Sequence, residues 1–108
     1  MVRRKYGEPV GLRLSVTGPV FEWRGPAPYH FVAVPPEQCE EIGDVAAEVT
    51  YGWGMVPVRV ALGGSEWETA LWPREGGYVV PLRDWVREAE GVGPGQVVEV
   101  TLDVVARA

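Results

Sequence analysis

The chain has 108 residues, a length that predicts one domain with a single hydrophobic core. Its apolar content of 46% and its charged content of 23% are those of a globular protein and exclude a disordered chain. Its formal net charge of −5 makes nucleic acid an unfavoured partner, because affinity for phosphates depends on Lys and Arg.

The cysteine content and the hydropathy of the sequence exclude further classes of protein. Cys39 is the only cysteine, so an internal disulfide and a cysteine-based zinc site are excluded, and we expect no metal or other cofactor. No apolar run approaches the roughly 20 residues that cross a bilayer, and no hydrophobic stretch follows the basic start MVRRK. We therefore expect a cytoplasmic protein without a membrane partner. Residues 1–108 are predicted to form one domain, with residues 1–9 as a loose N-terminal segment.

The first third of the chain predicts two strands. Apolar and polar residues alternate over residues 10–16, as in a strand with one buried face. Phe21 and Trp23 have the opposite parity, so we expect a bulge or sharp bend at residues 18–19, a Gly-Pro pair. Residues 29–34 are apolar on nearly both sides, which predicts a central or well covered strand.

A helix is predicted to follow, beginning at Pro35-Pro36, where proline is tolerated because the first N–H groups have no intrahelical partner. Apolar residues at helical spacing form its buried stripe: Cys39, Ile42, Val45, Ala46 and Val49. Acidic residues occupy another face: Glu37, Glu40, Glu41, Asp44 and Glu48. We interpret the acidic face as solvated, and a basic partner or a divalent ion is the alternative.

A hairpin is predicted next. Residues 56–62 alternate with one buried face, and Pro57 makes this strand an edge or interrupts it, because proline donates no ladder hydrogen bond. A tight turn at residues 63–64, Gly-Gly, leads into a partner strand over residues 65–72.

The last third of the chain predicts two more strands around a short helix. A turn at residues 73–77 leads into a strand over residues 78–80, and the helix is predicted to begin at Pro81 and to end at Gly91. Its apolar face comprises Leu82, Trp85, Val86 and Ala89. A final strand over residues 98–104 alternates throughout. About six strands with two short helices favour a mainly β fold, a small closed or nearly closed β-barrel.

Five stretches carry a family resemblance. YHFVAVP, TYGWGMVPV, ETALWP, GGYVVPL and VREAEGVGPGQVVEVTL, in this order, resemble a bacterial family of domains of unknown function, met beside or fused to YdeI/OmpD-associated modules. The family pattern has an aspartate where Gln96 stands and a phenylalanine where Trp72 stands. The stretch VPLRDWVREAEGVGPGQVVEV is also similar to AbrB-like swapped-hairpin barrels, which implies a barrel without DNA binding, since the basic face is lacking.

Aromatic residues between glycines are the strongest candidates for a functional site. In TYGWGMVPV, Tyr51 and Trp53 bracket Gly52. They form either the wall of a ligand pocket or the bulky filling of a bend in the barrel, and the second interpretation is the one favoured. The candidate ligand-binding residues are Tyr51, Trp53, Arg59, Trp67, Thr69, His30 and Arg74.

Catalytic chemistry has weaker support. His30 is the natural acid–base candidate, but it lies in an apolar strand and is interpreted as structural. Cys39 is interpreted as packing, and Glu66 and Glu68 as two exposed carboxylates on one strand face. No phosphate-binding glycine motif occurs, so no catalytic residue is assigned.

Four functions follow in decreasing order of support. The first is a non-catalytic binding module for a small molecule or a peptide. The second is a structural or oligomerisation module, such as a homo-oligomer, that serves a neighbouring or fused protein. The third is an enzyme, and the last is a nucleic-acid-binding protein.

Overall fold

The computed structural model describes residues 6–24, 29–50 and 54–107. Six strands and two helices follow one another within these ranges. They are β1 (Tyr6–Trp23), β2 (Tyr29–Ala33), α1 (Pro36–Val49), β3 (Val56–Leu62), β4 (Ser65–Arg74), β5 (Gly77–Leu82), α2 (Asp84–Glu90) and β6 (Val97–Arg107). Residues 6–9, expected from the sequence to be loose, form the start of β1.

The strands close into an antiparallel barrel in the order β1-β2-β5-β4-β3-β6, which confirms the predicted mainly β barrel. Two strands change partners along their length. β1 pairs with β6 up to Pro19 and with β2 from Val20, and β4 pairs with β3 up to Leu71 and with β5 from Trp72. The barrel is therefore two four-stranded sheets that share β1 and β4. Sheet A contains β6, β3 and the first halves of the shared strands, and sheet B contains β2, β5 and their second halves.

Valine and leucine side chains from alternate positions fill the interior. One row of paired residues crosses sheet A: Leu14, Leu102, Val60 and Trp67. Another row crosses sheet B: Val20, Val32 and Val80. All seven side chains are buried, and removal of their apolar area from water is the main stabilising contribution to the fold.

Of the bulge or sharp bend predicted at residues 18–19, the bulge is wrong, whereas β1 does turn a corner there and changes its partner from β6 to β2. The register of β1 with β6 runs without a shift through Gly18↔Val98 and Pro19↔Val97, and the irregularities lie between Tyr6 and Arg13. Gly18 takes an inward position at the corner between the two sheets, where a Cβ atom would lie 3.5 Å from the side chain of Val32. At that distance a Cβ atom would make an ordinary van der Waals contact, so the corner does not require glycine. Because no residue is inserted, Phe21 and Trp23 keep the parity opposite to Val20 and point out of the barrel.

Helix α1 packs against β3, β5 and β6 through the predicted apolar stripe. Ile42, Ala46 and Val49 are buried, and Cys39 and Val45 are partly buried. The described acidic side chains of this helix are exposed, as predicted: Glu37, Glu40, Glu41 and Asp44.

Helix α2 begins later than predicted, at Asp84, because β5 continues through Pro81, which pairs with Phe31 of β2. Of the predicted apolar face, Leu82 belongs to β5, Val86 is buried, and Trp85, at 51%, and Ala89 are exposed instead of packing on the core. Gly91 ends the helix in the left-handed conformation, with φ 66°, as predicted. Pro57 also lies where expected: it pairs with β4, and the pairing of β3 with β6 runs from Val58 to Ala61.

Candidate binding site

The outer surface of sheet B carries five aromatic side chains, which we call the aromatic face: Phe21, Trp23, Tyr29, Phe31 and Trp72. Strand register places them together. Phe21 pairs with Phe31 and Trp23 with Tyr29 across β1 and β2, whereas Trp72 comes from β4. All occupy outward positions because Val20, Val32 and Leu71, at the alternate positions of the same three strands, point into the barrel.

The five rings pack against one another. Their centroids are separated by 5.0 Å for Phe31 and Trp72, 5.4 Å for Tyr29 and Trp72, and 5.8 Å for Phe21 and Phe31. Trp23 stacks on Tyr29 with 25° between the ring planes. Phe31 is only 2% exposed, whereas Trp23 and Tyr29 are each 44% exposed. The face therefore has a buried floor and an exposed rim of rings.

A groove of about 240 Å³ runs through this face, lined by Trp23, Phe31, Trp72, Pro73, Arg74 and Val79. Its walls are almost wholly apolar apart from Arg74. Exposed apolar surface of this kind on a small domain is characteristic of interaction sites.

A larger cleft of about 730 Å³, the α1 cleft, adjoins the groove. Phe21, Val34 and Val79 form apolar parts of its wall, and Arg74 and Val79 line the groove as well. Cys39 and Glu40 of α1 also line it. Glu75 of the turn between β4 and β5 and Tyr78 of β5 also line the cleft. Pockets of roughly 300–1,000 Å³ hold small molecules, and this cleft falls within that range.

Arg74 lies at the junction of groove and cleft. Its guanidinium carbon is 5.1 Å from the centroid of the Phe21 ring, a cation–π contact. The sequence-predicted candidate Arg74 thus belongs to this site, at the exposed end of β4. Its position follows from the β4–β5 turn, in which Glu75 and Gly76 both have positive φ.

The polar groups of the α1 cleft are few. The Cys39 thiol donates to the carbonyl oxygen of Val34 at 3.3 Å. Burial, and secondarily the electrostatic interaction with Cys39, raise the pKa of the Tyr78 phenol above its ordinary value, so Tyr78 acts here as a neutral donor and acceptor. The exposed side chains of Glu40 and Glu75 make no ion pair with any residue the structure describes.

Other sequence-predicted candidates lie elsewhere. Arg59 is on the outer face of sheet A, where its Nε is 3.0 Å from Oε2 of Glu68 and its Nη2 donates to the Gly7 carbonyl oxygen at 3.0 Å. Trp67 is buried, and its Nε1 donates to the Pro81 carbonyl oxygen at 3.4 Å. Thr69 is also buried. The structure does not bring these three residues to the aromatic face.

His30 is buried next to the aromatic face but has the opposite parity to Tyr29 and Phe31. Its Nε2 lies 3.4 Å from Oε2 of Glu22, and its Nδ1 has no hydrogen-bond partner among the described residues. Oε1 of Glu22 also accepts from Arg24 Nε, at 3.1 Å. The remaining candidates, Tyr51 and Trp53, lie outside the described residues.

The aromatic face was missed at the level of sequence, although a signal was present. The opposite parity of Phe21 and Trp23 led to the prediction of a bulge or sharp bend between them and the preceding strand residues. An unbroken strand with the same parity would have predicted two outward aromatic rings. The parity of Tyr29 and Phe31 in the next strand carries the same information.

Fold and site together define a small six-stranded antiparallel barrel with an aromatic outer face. A family model described as Domain of unknown function (DUF1905) matches residues 17–102, well over half of the chain, and the protein belongs to this family. The predicted resemblance to a family of domains of unknown function is therefore confirmed. No curated protein matches the chain.

Two further observations concern membranes and metals. Neither α1 nor α2 is long and apolar enough to cross a bilayer, and no other helix is found in the described ranges. Within those same ranges, no three His, Cys, Asp or Glu side chains converge as a metal site would require.

Proposed function

We propose that the protein is a non-catalytic binding module for a small molecule or a peptide, with the aromatic face and the α1 cleft as its binding site. One observation supports the proposal most directly. The exposed rings of Trp23 and Tyr29 lie at the edge of a cluster of packed aromatic rings, next to a cleft of about 730 Å³. Exposed tryptophan and tyrosine contribute most strongly to binding energy because they bury large area at little entropic cost.

The contrast between the two outer faces supports this choice. On sheet A two pairs of charged side chains neutralise each other: Arg13 binds both carboxylate oxygens of Asp103, at 2.9 and 3.0 Å, and Arg59 binds Glu68. A depression of about 470 Å³ on that face is lined by these charged pairs. Sheet B instead presents apolar rings to solvent, and water solvates such a surface poorly.

The polar groups of the site favour binding over catalysis. A nucleophilic thiol needs a positive neighbour, but Cys39 is partly buried and its thiol donates to the backbone at Val34. Tyr78 holds its proton more tightly than an ordinary tyrosine. His30, the acid–base candidate, has the opposite parity to the aromatic rings of β2.

A structural or oligomerisation module is the second candidate, and the exposed pair Trp23 and Tyr29 favours it too. A flat sheet surface with aromatic rings at its rim also suits a protein partner, either a second copy or a neighbouring protein of the YdeI/OmpD-associated kind. A bacterial cytoplasmic setting is part of both proposals.

Saturation-transfer NMR tests the leading proposal. The full chain is mixed with phenol, indole and a blocked phenylalanine dipeptide, each in turn, and transfer to at least one of them is expected. Trp23→Ala should weaken the transfer severalfold. Trp85→Ala removes an equally exposed tryptophan from α2 and should leave it unchanged.

Two outcomes would reject the proposal: none of the fragments receives saturation, or Trp85→Ala weakens transfer as much as Trp23→Ala. Light scattering on the same variants tests the second candidate. Self-association that Trp23→Ala abolishes, without binding of any fragment, would support the oligomerisation module in its place.

A further inference from the structure

We infer that the site selects cationic ligands: small molecules in which a flat apolar group is joined by a short linker to a positive charge. The inference rests on the proposed function and specifies the class of its ligand. It depends on where the charges around the aromatic face lie.

The apolar half of such a ligand fits the groove. Trp23, Phe31 and Trp72 offer ring surfaces at its sides, and the groove of about 240 Å³ has room for one ring. Arg74 and Val79 line groove and cleft alike, so the two spaces adjoin. A group attached to the ring by a short linker would extend into the α1 cleft.

The charge of the cleft lining is negative. Two carboxylates, Glu40 and Glu75, and one guanidinium, Arg74, line it. Neither carboxylate forms an ion pair with a described residue, so both are free to meet an incoming charge. The guanidinium of Arg74, in contrast, is already held over the Phe21 ring.

The charges around the cleft are also predominantly negative. Helix α1, which borders the cleft, contains five acidic residues and no lysine or arginine. The whole chain has a formal net charge of −5. Two carboxylates against one guanidinium leave the lining with a net negative charge, and a net negative field concentrates cations and repels anions.

Three probes with the same ring isolate the charge: phenethylammonium, phenethyl alcohol and hydrocinnamate. Their dissociation constants are measured by chemical-shift titration of the isotopically labelled chain at low ionic strength. We expect the ammonium to bind about fivefold more tightly than the carboxylate, because one exposed ion pair contributes up to about fivefold. The preference should shrink as salt is added.

Two double variants test which carboxylates cause the preference for the ammonium probe. The double variant Glu40→Gln/Glu75→Gln should remove most of the preference for the ammonium. The control Glu66→Gln/Glu99→Gln changes the net charge equally, on exposed positions of β4 and β6 remote from the cleft lining, and should keep it.

The possible outcomes distinguish a failure of the inferred cation selectivity from a failure of the proposed binding function. Equal binding of the three probes, or tightest binding of hydrocinnamate, would overturn the cation selectivity and leave the binding module standing. An equal loss of preference in both double variants would overturn it as well, since the cleft carboxylates would then have no special role. Failure of all three probes to shift resonances of the aromatic face would overturn the selectivity and the proposed function together.

Discussion

Phe31 and Trp72 touch across an intervening strand: their ring centroids are 5.0 Å apart, although Phe31 lies on β2 and Trp72 on β4, with β5 between them. Val79 of β5, directly paired with Trp72, lies under this contact and is buried. The two rings therefore join three strands on the outside of sheet B. The aromatic face thus serves the fold as well as the proposed binding.

Stability should distinguish the floor of the aromatic face from its rim. Phe31→Ala is expected to lower the free energy of unfolding by about 3–5 kcal/mol, because the buried ring leaves a cavity. Trp23→Ala should lower it by about 1 kcal/mol, as for an ordinary surface-facing substitution. Urea unfolding followed by circular dichroism measures both. Similar losses in the two variants would show that this division of the face is mistaken.

Tyr78 should make the fold sensitive to alkaline pH. Its pKa is raised by burial, and secondarily by Cys39, above the ordinary value of about 10. The folded chain then holds this proton more tightly than the unfolded chain. The resulting stability is fully present below the unfolded pKa and is lost as the pH rises through the folded pKa.

Tyr78→Phe should therefore lose less stability between neutral and strongly alkaline pH than the parent chain does. Tyr29→Phe, which changes a more exposed tyrosine, provides the control and should behave like the parent. Urea unfolding at the two pH values gives the comparison. Parallel losses in the parent and in Tyr78→Phe would contradict the assignment.

Glu90 is expected to stabilise the contact between the β3–β4 turn and α2. Its Oε2 accepts a hydrogen bond of 2.6 Å from Ser65 Oγ, and its Oε1 accepts one of 3.3 Å from the Gly64 N–H. Glu90→Ala leaves the buried Ser65 hydroxyl without this partner, so we expect a loss of about 1–2 kcal/mol. Glu88→Ala, an exposed change on the same helix, should cost less than about 0.5 kcal/mol. Thermal unfolding that ranks the two variants equally would refute this role.

Arg59 should have no part in ligand binding, although the sequence nominated it. Because its ion pair with Glu68 is on the surface of sheet A, Arg59→Ala should lower stability by no more than about 1 kcal/mol. It should also leave the affinity for aromatic probes unchanged. Arg74→Ala, at the junction of groove and cleft, should alter that affinity. Titration of both variants with phenethyl alcohol measures the two affinities. A lower affinity in Arg59→Ala would indicate that the ligand binds on sheet A.

Local patterns in the sequence were enough to predict the barrel. Alternation over residues 56–62 and 98–104 gave the inward faces of β3 and β6, and helical spacing gave the stripe of α1. The start of α2 was missed because Pro81 is acceptable both at a helix N-terminus and in a strand. The pairing of Pro81 with Phe31 shows that Pro81 belongs to the strand, and this pairing is a long-range contact that the local sequence does not reveal.

The site was harder to predict because its residues are distant in sequence. Tyr29 and Trp72 meet only because β5, late in the chain, inserts between β2 and β4. No local pattern encodes that strand order. Among the described candidates, Arg74 lines the proposed site, whereas Arg59 and Thr69 share its region of sequence but lie on sheet A or inside the barrel.

The pairing of β1 with β6 has a consequence for biosynthesis. Val16 pairs with Val100 and Leu14 with Leu102, so contacts that span most of the chain hold the barrel shut. On the ribosome, β1 has no partner along its first half until β6 has been translated and has left the exit tunnel. Folding to the native state is then a late event, and its rate is limited by the search for a contact between remote segments.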